Sequence, residues 1–232
     1  MIPLRDNIPR STWPGVTVAL IVVNCAVFFR ELSLSPFQRT LMIESYSLIP
    51  ARTAAFLSGL PVSPTRALLP FFTSMFLHGG FFHLIGNMWF LWIFGDNVED
   101  RVGHLRYLCL YLCCGLAGAV TYMYFSLQSS MPSLGASGAI AGVMGAYLIT
   151  FPRARVLTLV PIFFFLTTWE IPAYLILVYW FLLQFLNGVC TIAATDQGGG
   201  VAWFAHVGGF LAGVPLMLLL RRPRRSRASA WL

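Results

Sequence analysis

Long apolar runs, separated by short polar or proline-containing stretches, make up most of this chain. A helix needs about 20 largely apolar residues to cross a membrane, and six runs reach or approach that length. Five of them cover residues 16–29, 82–98, 105–125, 172–192 and 201–220. The remaining run, fourth in chain order, begins near Ala136 and is stopped by Pro152. The pattern predicts an all-α, polytopic membrane protein with six transmembrane helices.

The fourth run is shorter than a full membrane crossing. About sixteen residues make about 24 Å of helix, against a hydrocarbon core of about 30 Å. If its inner end reaches Arg153 and Arg155, its outer end begins below the membrane surface. Ser137 is then submerged, and the non-helical backbone before it must line a wet cavity or be buried in protein.

The connection between the first two runs, residues 30–70, is too polar and too rich in proline to cross a membrane. It nevertheless carries apolar patches at 41–43 and 54–57. We therefore expect a long interfacial first loop, built from short helices that lie in or on the membrane surface.

Composition supports the membrane assignment and orients the chain. The sequence is 58% hydrophobic and only 10% charged, which is too apolar for a soluble domain of 232 residues. All fifteen basic residues are arginine. With the N-terminus inside, eleven of them fall in inner segments and four in outer ones, a bias that predicts two cytoplasmic termini. This distribution fits membrane orientation better than nucleic-acid binding.

We expect a single multi-pass domain over residues 1–232, located in a bacterial inner membrane. A short cytoplasmic N-terminus, residues 1–14, precedes the first helix without a small-residue cleavage site, so no removed signal peptide is expected. A basic cytoplasmic tail, residues 221–232, follows the last helix. The oligomeric state stays open.

Three polar side chains fall near the outer ends of different predicted helices. His83, Ser137 and His206 belong to the second, fourth and sixth helices, which all enter the membrane from the outer side. A polar side chain at membrane depth is costly and suggests function, although a single histidine can be structural and serine often packs between membrane helices. Convergence of three such positions at one level is harder to explain as packing.

Ser137 and His206 have the chemistry of a nucleophile and its general base. A serine hydroxyl is a weak nucleophile until a neighbouring base takes its proton, and imidazole suits that task near pH 7. A third member that would orient the imidazole is missing. The carboxylates within 96–100 lie about 20 Å away at the inner end of the second helix, and Asp196 sits in a Gly-rich loop. We interpret the pair as a dyad.

His83 and Asn87 are four residues apart and therefore share one helix face. Together they present two N–H donors to the same cavity, and the backbone N–H of Ser137, in the first turn of its helix, offers a third. Such donors stabilise the oxyanion of an acyl-transfer reaction. The alternative is a pair that only hydrogen-bonds neighbouring helices.

Small residues line both helices that carry the dyad. Gly138 and Gly142 lie beside the serine face of the fourth helix, while Gly209 and Gly213 share the histidine face of the sixth. Such small-xxx-small surfaces let two helix backbones approach closely. We expect these glycines, with Gly135 ahead of the serine, to bring the hydroxyl to the imidazole.

Three motifs, in order and spacing, resemble those of the rhomboid family of intramembrane serine proteases. They are HLIGN at 83–87, GASG at 135–138 and AHVGGFLAG at 205–213. The resemblance spans all six helices and implies a serine endopeptidase that hydrolyses peptide bonds in or near transmembrane segments. It implies Ser137 as nucleophile and His206 as general base. His83, Asn87 and the Ser137 amide are implied as oxyanion donors, and no cofactor or metal is implied.

The resemblance further implies transmembrane protein substrates, which approach sideways from the lipid near the fifth helix. It implies structural roles for Glu99 and Arg101 and a loop-positioning role for His78. The chain departs from the family in two places. Leu69 and Pro70 stand near the position of a Trp-Arg pair in the first loop, and Ala141 replaces an aromatic residue that stacks on the histidine in some members. Orientation of the imidazole must then rely on other packing.

Two other functions compete with a protease. A catalytically inactive rhomboid-like protein would bind transmembrane helices without cutting them, but it has no reason to retain both Ser137 and His206. A transporter or channel would want charged residues along a midplane path, and only Glu170 approaches that. The glycines of loop 195–200 permit a moving lid or simply make a turn.

Overall fold

Helices form most of the described protein. The computed structural model describes residues 2–162, 165–193 and 202–221. The helices are α1 (Gly15–Leu32), α2 (Pro36–Tyr46), α3 (Pro50–Leu57), α4 (Pro64–Leu68), α5 (Pro70–Thr73), α6 (Phe81–Val102), α7 (His104–Phe125), α8 (Ser137–Thr150), α9 (Ala173–Ala193) and α10 (Trp203–Leu220). Asp196, loop 195–200 and tail residues 222–232 lie outside the described residues.

The predicted helical, polytopic membrane protein is confirmed. Four of the described helices, α1, α7, α9 and α10, are long and apolar enough to cross a membrane. A fifth crossing results if the helical segment Pro64–Phe76 and α6, which bend by 74° at their junction, form one span. Helix α8 has 14 residues, and this confirms that the fourth apolar run makes a short helix. The count of six crossings rests on the sequence pattern alone.

The first loop consists of short helices, as predicted. Each of α2 to α5 has a proline in its first turn. Proline lacks a backbone N–H, but N–H groups in the first turn have no acceptor within the helix, so no hydrogen bond is lost. Helix α2 is closed by a capping box, in which Ser35 accepts from the Gln38 amide and the Gln38 side chain accepts from the Ser35 amide. These local signals explain why the connection forms helices between its proline-marked breaks.

A three-stranded antiparallel sheet adds to the helical fold, and the sequence pattern did not predict it. Strands β1 (Ile2–Asp6), β2 (Arg155–Ile162) and β3 (Phe165–Pro172) are ordered β1-β2-β3. Alternate β2 residues, Val156, Thr158 and Val160, are buried, which is the period of a strand with one covered face. The sheet joins the end of α8 to the start of α9. Glu170, the charged residue considered for a transport path, lies in β3 and not in a spanning helix.

The N-terminal strand is hydrogen-bonded to α6 and α8. Asp6 accepts hydrogen bonds from the Asn97 amide at 2.8 Å and from the Tyr147 hydroxyl at 2.5 Å. The Trp89 indole N–H donates to the Pro3 carbonyl at 2.6 Å. Strand β1 therefore runs along α6 from Trp89 towards Asn97, and its last residue, Asp6, lies near the end of α8.

Glu99 closes the N-terminus of α1 from the last turn of α6. Its fully buried carboxylate accepts from the backbone N–H groups of Val16 at 2.9 Å and Thr17 at 2.7 Å, and from the Thr17 hydroxyl at 2.7 Å. These N–H groups have no partner within their own helix, and a carboxylate there also favours the helix dipole. The expected structural role of Glu99 is thus confirmed by its contacts.

We expect Glu99→Gln to lower the free energy of unfolding by about 2–4 kcal/mol. The substitution removes a charge that accepts the three hydrogen bonds from α1 and also contacts Nδ1 of His104 at 2.5 Å, and it places an N–H group against other donors. Denaturant unfolding of the detergent-solubilised protein measures this change. The control is Glu44→Gln on the exposed face of α2, for which we expect a change below about 0.5 kcal/mol. Equal unfolding free energies of the two variants would contradict the capping role.

Successive long helices run in opposite directions, so their ends collect in two groups. At one end the start of α1 meets the end of α6 through Glu99, and the Arg106 guanidinium at the start of α7 donates to the Leu220 carbonyl at the end of α10. The starts of α6, α8 and α10 gather at the other end. His83, Ser137 and His206 lie in the first turn or two of those helices, at the level that the sequence predicted.

Glycines set the spacing of α8 and α10. A Cβ built on Gly209 would overlap the carbonyl oxygen of Gly138, and one on Gly213 would overlap that of Gly142. A Cβ on Gly142 would collide with the side chain of Cys114 on α7. The predicted close approach of the fourth and sixth helices is confirmed, and α7 packs into the same contact.

Candidate active site

A cavity of about 1450 Å³ lies at the end of the bundle where α6, α8 and α10 begin. Its wall includes residues from those helices, from α9 and from the segment 126–135 that leads into α8. His83, Asn87, Ser137, Gln184 and His206 all line it. The four side chains that the sequence singled out therefore share one cavity, and Gln184 joins them.

Ser137 is the first residue of α8, and the turn before it is held by the first loop. Leu48 and Ser133 exchange two backbone hydrogen bonds, of 3.0 and 2.8 Å. The Gly135 amide donates to the Ser74 carbonyl at 2.8 Å. These bonds fix the direction in which the chain enters α8, and so where the serine hydroxyl lies.

Gly135 has a different role from the other four glycines grouped with it. It does not lie in the contact between helices but in the turn before α8, with φ of +129°, a conformation that other residues rarely adopt. A Cβ there would lie 2.8 Å from Nε2 of His83 and 3.7 Å from Nδ2 of Asn87. Glycine therefore lets the backbone beside the serine lie directly against these two side chains.

The predicted serine and histidine are in contact. Oγ of Ser137 lies 2.7 Å from Nε2 of His206, a normal hydrogen-bond distance. His206 is only 7% exposed, while Ser137 is half-buried at the cavity wall. A hydroxyl paired with a largely desolvated imidazole is the arrangement that activates a serine.

Gln184 on α9 occupies the other side of the imidazole, where the sequence offered no partner. Its Oε1 lies 2.7 Å from Nδ1 of His206, and its Nε2 donates to the Trp180 carbonyl at 3.3 Å. Like the histidine, it is 7% exposed. The signal that could have found it is an amide side chain between apolar neighbours in a spanning helix, a signal that Asn187 carries as well.

Aromatic rings contact the imidazole in place of the residue missing at position 141. The Trp180 ring lies 5.7 Å from the His206 ring with a 35° tilt, and the Trp203 ring lies edge-on at 6.4 Å. Ala141 is itself fully buried. The expectation that other packing orients the imidazole is confirmed.

His83 and Asn87 present polar groups to the turn that precedes Ser137. The Gly79 amide donates to Nδ1 of His83 at 3.4 Å, which makes Nδ1 the acceptor and leaves the proton on Nε2. Nδ2 of Asn87 is buried without a hydrogen-bond partner among the described residues. Two N–H donors therefore lie beside the backbone of Gly135, two residues from the serine.

His78 is completely buried between α1 and the start of α6. Its backbone N–H donates to the carboxylate of Glu31 at 3.2 Å, and its ring lies 5.2 Å from that of His83. These contacts agree with the loop-positioning role expected for it. They tie the end of α1 to the turn that leads into α6.

The acidic residues of the second predicted helix lie far from this cavity. Asp96, Glu99 and Asp100 contact the N-terminal segment and the start of α1 at the opposite end of the bundle. Within the described parts of the chain, no three His, Cys, Asp or Glu side chains lie close enough together to hold a metal ion.

Comparison with known proteins agrees with these motifs. The chain is 36% identical over 153 residues to RHOMBOID-like protein 6, mitochondrial, of Arabidopsis thaliana, an alignment covering 66% of this chain and 44% of the relative. It is 32% identical over 147 residues to Rhomboid protein 1, mitochondrial, of Saccharomyces cerevisiae (61% and 38%). It is 34% identical over 156 residues to RHOMBOID-like protein 5 of Arabidopsis thaliana (65% and 43%). The chain thus spans less than half the length of each of these relatives.

Two of these relatives are named mitochondrial, and none of the three comes from a bacterium. They give no support to the bacterial inner membrane expected from the sequence. The model of the Rhomboid domain matches residues 65–223, a range that contains His83, Ser137 and His206. Because this match covers more than half of the chain, the protein belongs to the rhomboid family.

Proposed function

We propose that the protein is an intramembrane serine endopeptidase, which hydrolyses peptide bonds in or near the transmembrane segments of other membrane proteins. The observation that carries the proposal is the 2.7 Å contact between Oγ of Ser137 and Nε2 of His206 at the wall of a large cavity. Membership of the rhomboid family supports the same chemistry.

In the first step Oγ of Ser137 attacks the carbonyl carbon of the scissile bond while its proton passes to Nε2 of His206. A C–O bond forms, and the carbonyl oxygen takes the negative charge. Collapse of this intermediate breaks the C–N bond, and His206 gives the proton to the departing amine. In the second step the same imidazole takes a proton from a water molecule, whose oxygen attacks the acyl carbon. The ester C–O bond then breaks, and His206 returns the proton to Oγ of Ser137.

The developing oxyanion is stabilised by three donors. They are Nε2–H of His83, the Nδ2–H of Asn87 and the backbone N–H of Ser137, which has no acceptor within its helix because Ser137 is the first residue of α8. Gly135 permits this assembly because its backbone lies against both side chains. The α8 dipole adds positive potential at the same point.

The substrate is a transmembrane helix that reaches the cavity sideways from the lipid. The cavity wall includes α9 residues Trp180, Gln184, Gly188 and Thr191. Helix α10 packs closely against α8 through its glycines, whereas α9 packs against α8 less extensively. A segment that enters beside α9 must expose its backbone to Ser137, so we expect substrates whose helices are easily unwound. Lipids surround this approach.

We also propose an orientation in which the arginine-rich end of the bundle faces the cytoplasm and both termini lie on that side. Asp6 at the end of β1 and Arg155 at the start of β2 lie near the end of α8, opposite Ser137. Cleavage would then take place near the outer face. Labelling of single introduced cysteines by a membrane-impermeant maleimide measures this orientation.

The test of the proposed function is cleavage by purified protein. The full chain, solubilised in detergent, is incubated with a panel of fluorescent transmembrane helices that contain helix-breaking residues. We expect product fragments whose new termini lie within or beside the apolar segment. If no helix of the panel is cleaved, in detergent or in liposomes, the proposal is wrong. That result would favour the alternative, an inactive rhomboid-like protein that binds transmembrane helices.

We expect Asn87→Ala to lower kcat about 10²-fold to 10³-fold with little change in KM, because a donor to the oxyanion acts only once charge develops. Steady-state cleavage of a fluorescent transmembrane helix measures both constants. The matched control is Asn7→Ala, an exposed amide that lies by Arg155 at the opposite end of the bundle, for which wild-type kinetics are expected. A rise in KM with unchanged kcat would instead assign Asn87 to substrate binding.

A further inference from the structure

The imidazole of His206 is held at both of its nitrogens, although the sequence suggested a partner at only one. Nε2 faces the Ser137 hydroxyl at 2.7 Å, and Nδ1 faces Oε1 of Gln184 at 2.7 Å. Both the glutamine and the histidine are 7% exposed. Water therefore has little access to compete for either hydrogen bond.

The orientation of the glutamine amide follows from its second contact. The other end of the amide lies 3.3 Å from the carbonyl oxygen of Trp180, one helical turn earlier on α9. A carbonyl oxygen only accepts, so the NH₂ group must face Trp180 and Oε1 must face the imidazole. Since Oε1 also only accepts, Nδ1 of His206 must carry the proton.

This arrangement selects one tautomer of the neutral imidazole. With the proton on Nδ1, the lone pair lies on Nε2 and points at the serine hydroxyl, which then donates to it. The opposite tautomer would place an N–H group against the hydroxyl and leave Nδ1 facing another acceptor. In many enzymes an acceptor beside Nδ1 selects the tautomer in this way, and so determines that Nε2 acts as the base.

We propose that Gln184 is a positioning residue that keeps His206 in the tautomer able to accept the proton of Ser137, a role that rests on the proposed protease function. A neutral amide replaces the carboxylate that many serine enzymes use at this place. It orients the ring without burying a negative charge inside the membrane, where a charge is costly. Helix α9 thus contributes to the reaction as well as lining the cavity.

The test follows the reaction of the serine with a fluorophosphonate probe, which needs no knowledge of the natural substrate. Oγ of Ser137 attacks phosphorus, an O–P bond forms, the P–F bond breaks with release of fluoride, and the serine proton passes to His206. The full chain in detergent is compared with Gln184→Met, which removes the acceptor while keeping a similar shape, and with Gln184→Glu, which keeps an acceptor oxygen. Asn7→Ala, an exposed amide by Arg155 at the opposite end of the bundle, is the control.

We expect Gln184→Met to lower the maximal labelling rate about 10-fold to 100-fold, with the probe concentration at half-maximal rate unchanged. Gln184→Glu should restore most of that rate. It should also move the acidic limb of the pH–rate profile to higher pH, because a carboxylate stabilises the imidazolium. If Gln184 had only a structural role, the substitutions would change the temperature of thermal unfolding. Gln184→Glu would then neither recover the labelling rate nor shift the pH–rate profile.

Labelling of Gln184→Met at the wild-type rate would overturn the positioning role while leaving the protease proposal intact. If Gln184→Met does not fold, the pH–rate profile of Gln184→Glu is the deciding measurement. A profile identical to that of the wild type would overturn the positioning role of Gln184. If the folded wild-type protein is not labelled at all, the proposed function itself fails, and the positioning role fails with it.

Discussion

Replacing Ser137 with alanine is expected to lower the rate of cleavage at least about 10⁴-fold, because the substitution removes the atom that bonds to the substrate. The hydroxyl contributes one hydrogen bond, to His206, so its loss should change the free energy of unfolding by no more than about 1 kcal/mol. Cleavage of a fluorescent transmembrane helix and denaturant unfolding, on the same preparation, measure the two effects. Ser137→Ala should therefore be folded and inactive.

Ser58→Ala, at the exposed end of α3, is the matched control, and its cleavage rate should equal that of the wild type. Comparable cleavage by wild type and Ser137→Ala would show that another group performs the attack. We predict that the hydroxyl contributes little to stability, because it makes one hydrogen bond. If Ser137→Ala is inactive because it is unfolded, that prediction is wrong.

Gly209→Ala is expected to have the second largest effect, on both stability and activity. Its Cβ would overlap the carbonyl oxygen of Gly138 and lie 2.9 Å from the carbonyl carbon, so α8 and α10 would have to move apart. Backbone atoms cannot turn aside as a flexible side chain does, and we expect a loss of about 3 kcal/mol in the free energy of unfolding. Since Ser137 and His206 lie on these two helices, a shift of about 1 Å should also lower the cleavage rate about 10²-fold.

Gly86→Ala provides the matched glycine control for stability. A Cβ at Gly86 meets nothing within 4 Å, and the residue lies inside α6. Alanine is the better helix former, so this variant should be as stable as the wild type or more stable by about 1 kcal/mol. If Gly209→Ala unfolds at the same denaturant concentration as Gly86→Ala, the close approach of α8 and α10 does not depend on glycine.

The parts of the fold that follow from local pattern could be predicted from the sequence. Six apolar runs became six helices because a spanning helix must satisfy its own backbone hydrogen bonds and present apolar side chains to lipid. The level of Ser137 and His206 followed from counting residues from the start of each helix. Their contact needed one further inference, that Gly209 and Gly213 allow close approach, and the structure agrees with it.

The sheet could not be predicted in the same way, because its pairing is not local. Ile2 pairs with Leu159, more than 150 residues later in the chain. The local sequence of either strand therefore does not indicate which segment it pairs with. Residues 156–162 are almost continuously apolar, and such a run reads equally well as a short apolar segment before the next helix. Contact between distant segments, and not propensity, determines the strands here.

Gln184 was missed for a geometric reason. It lies 22 residues before His206, on a helix whose rotation about its own axis the sequence does not specify. Only once α9 is packed against α10 does it become clear that this amide faces Nδ1 and not the lipid. The interpretation of the pair as a dyad accounted for the proton transfer from serine but not for the orientation of the imidazole.

The most direct measurement is the site of covalent attachment of a fluorophosphonate to the folded wild-type protein, determined by proteolysis and mass spectrometry. If His206 activates Ser137 as proposed, the adduct lies on Ser137, and His206→Ala abolishes it. An adduct on a different residue, or equal labelling of Ser137 in wild type and His206→Ala, would contradict the proposed activation of this serine.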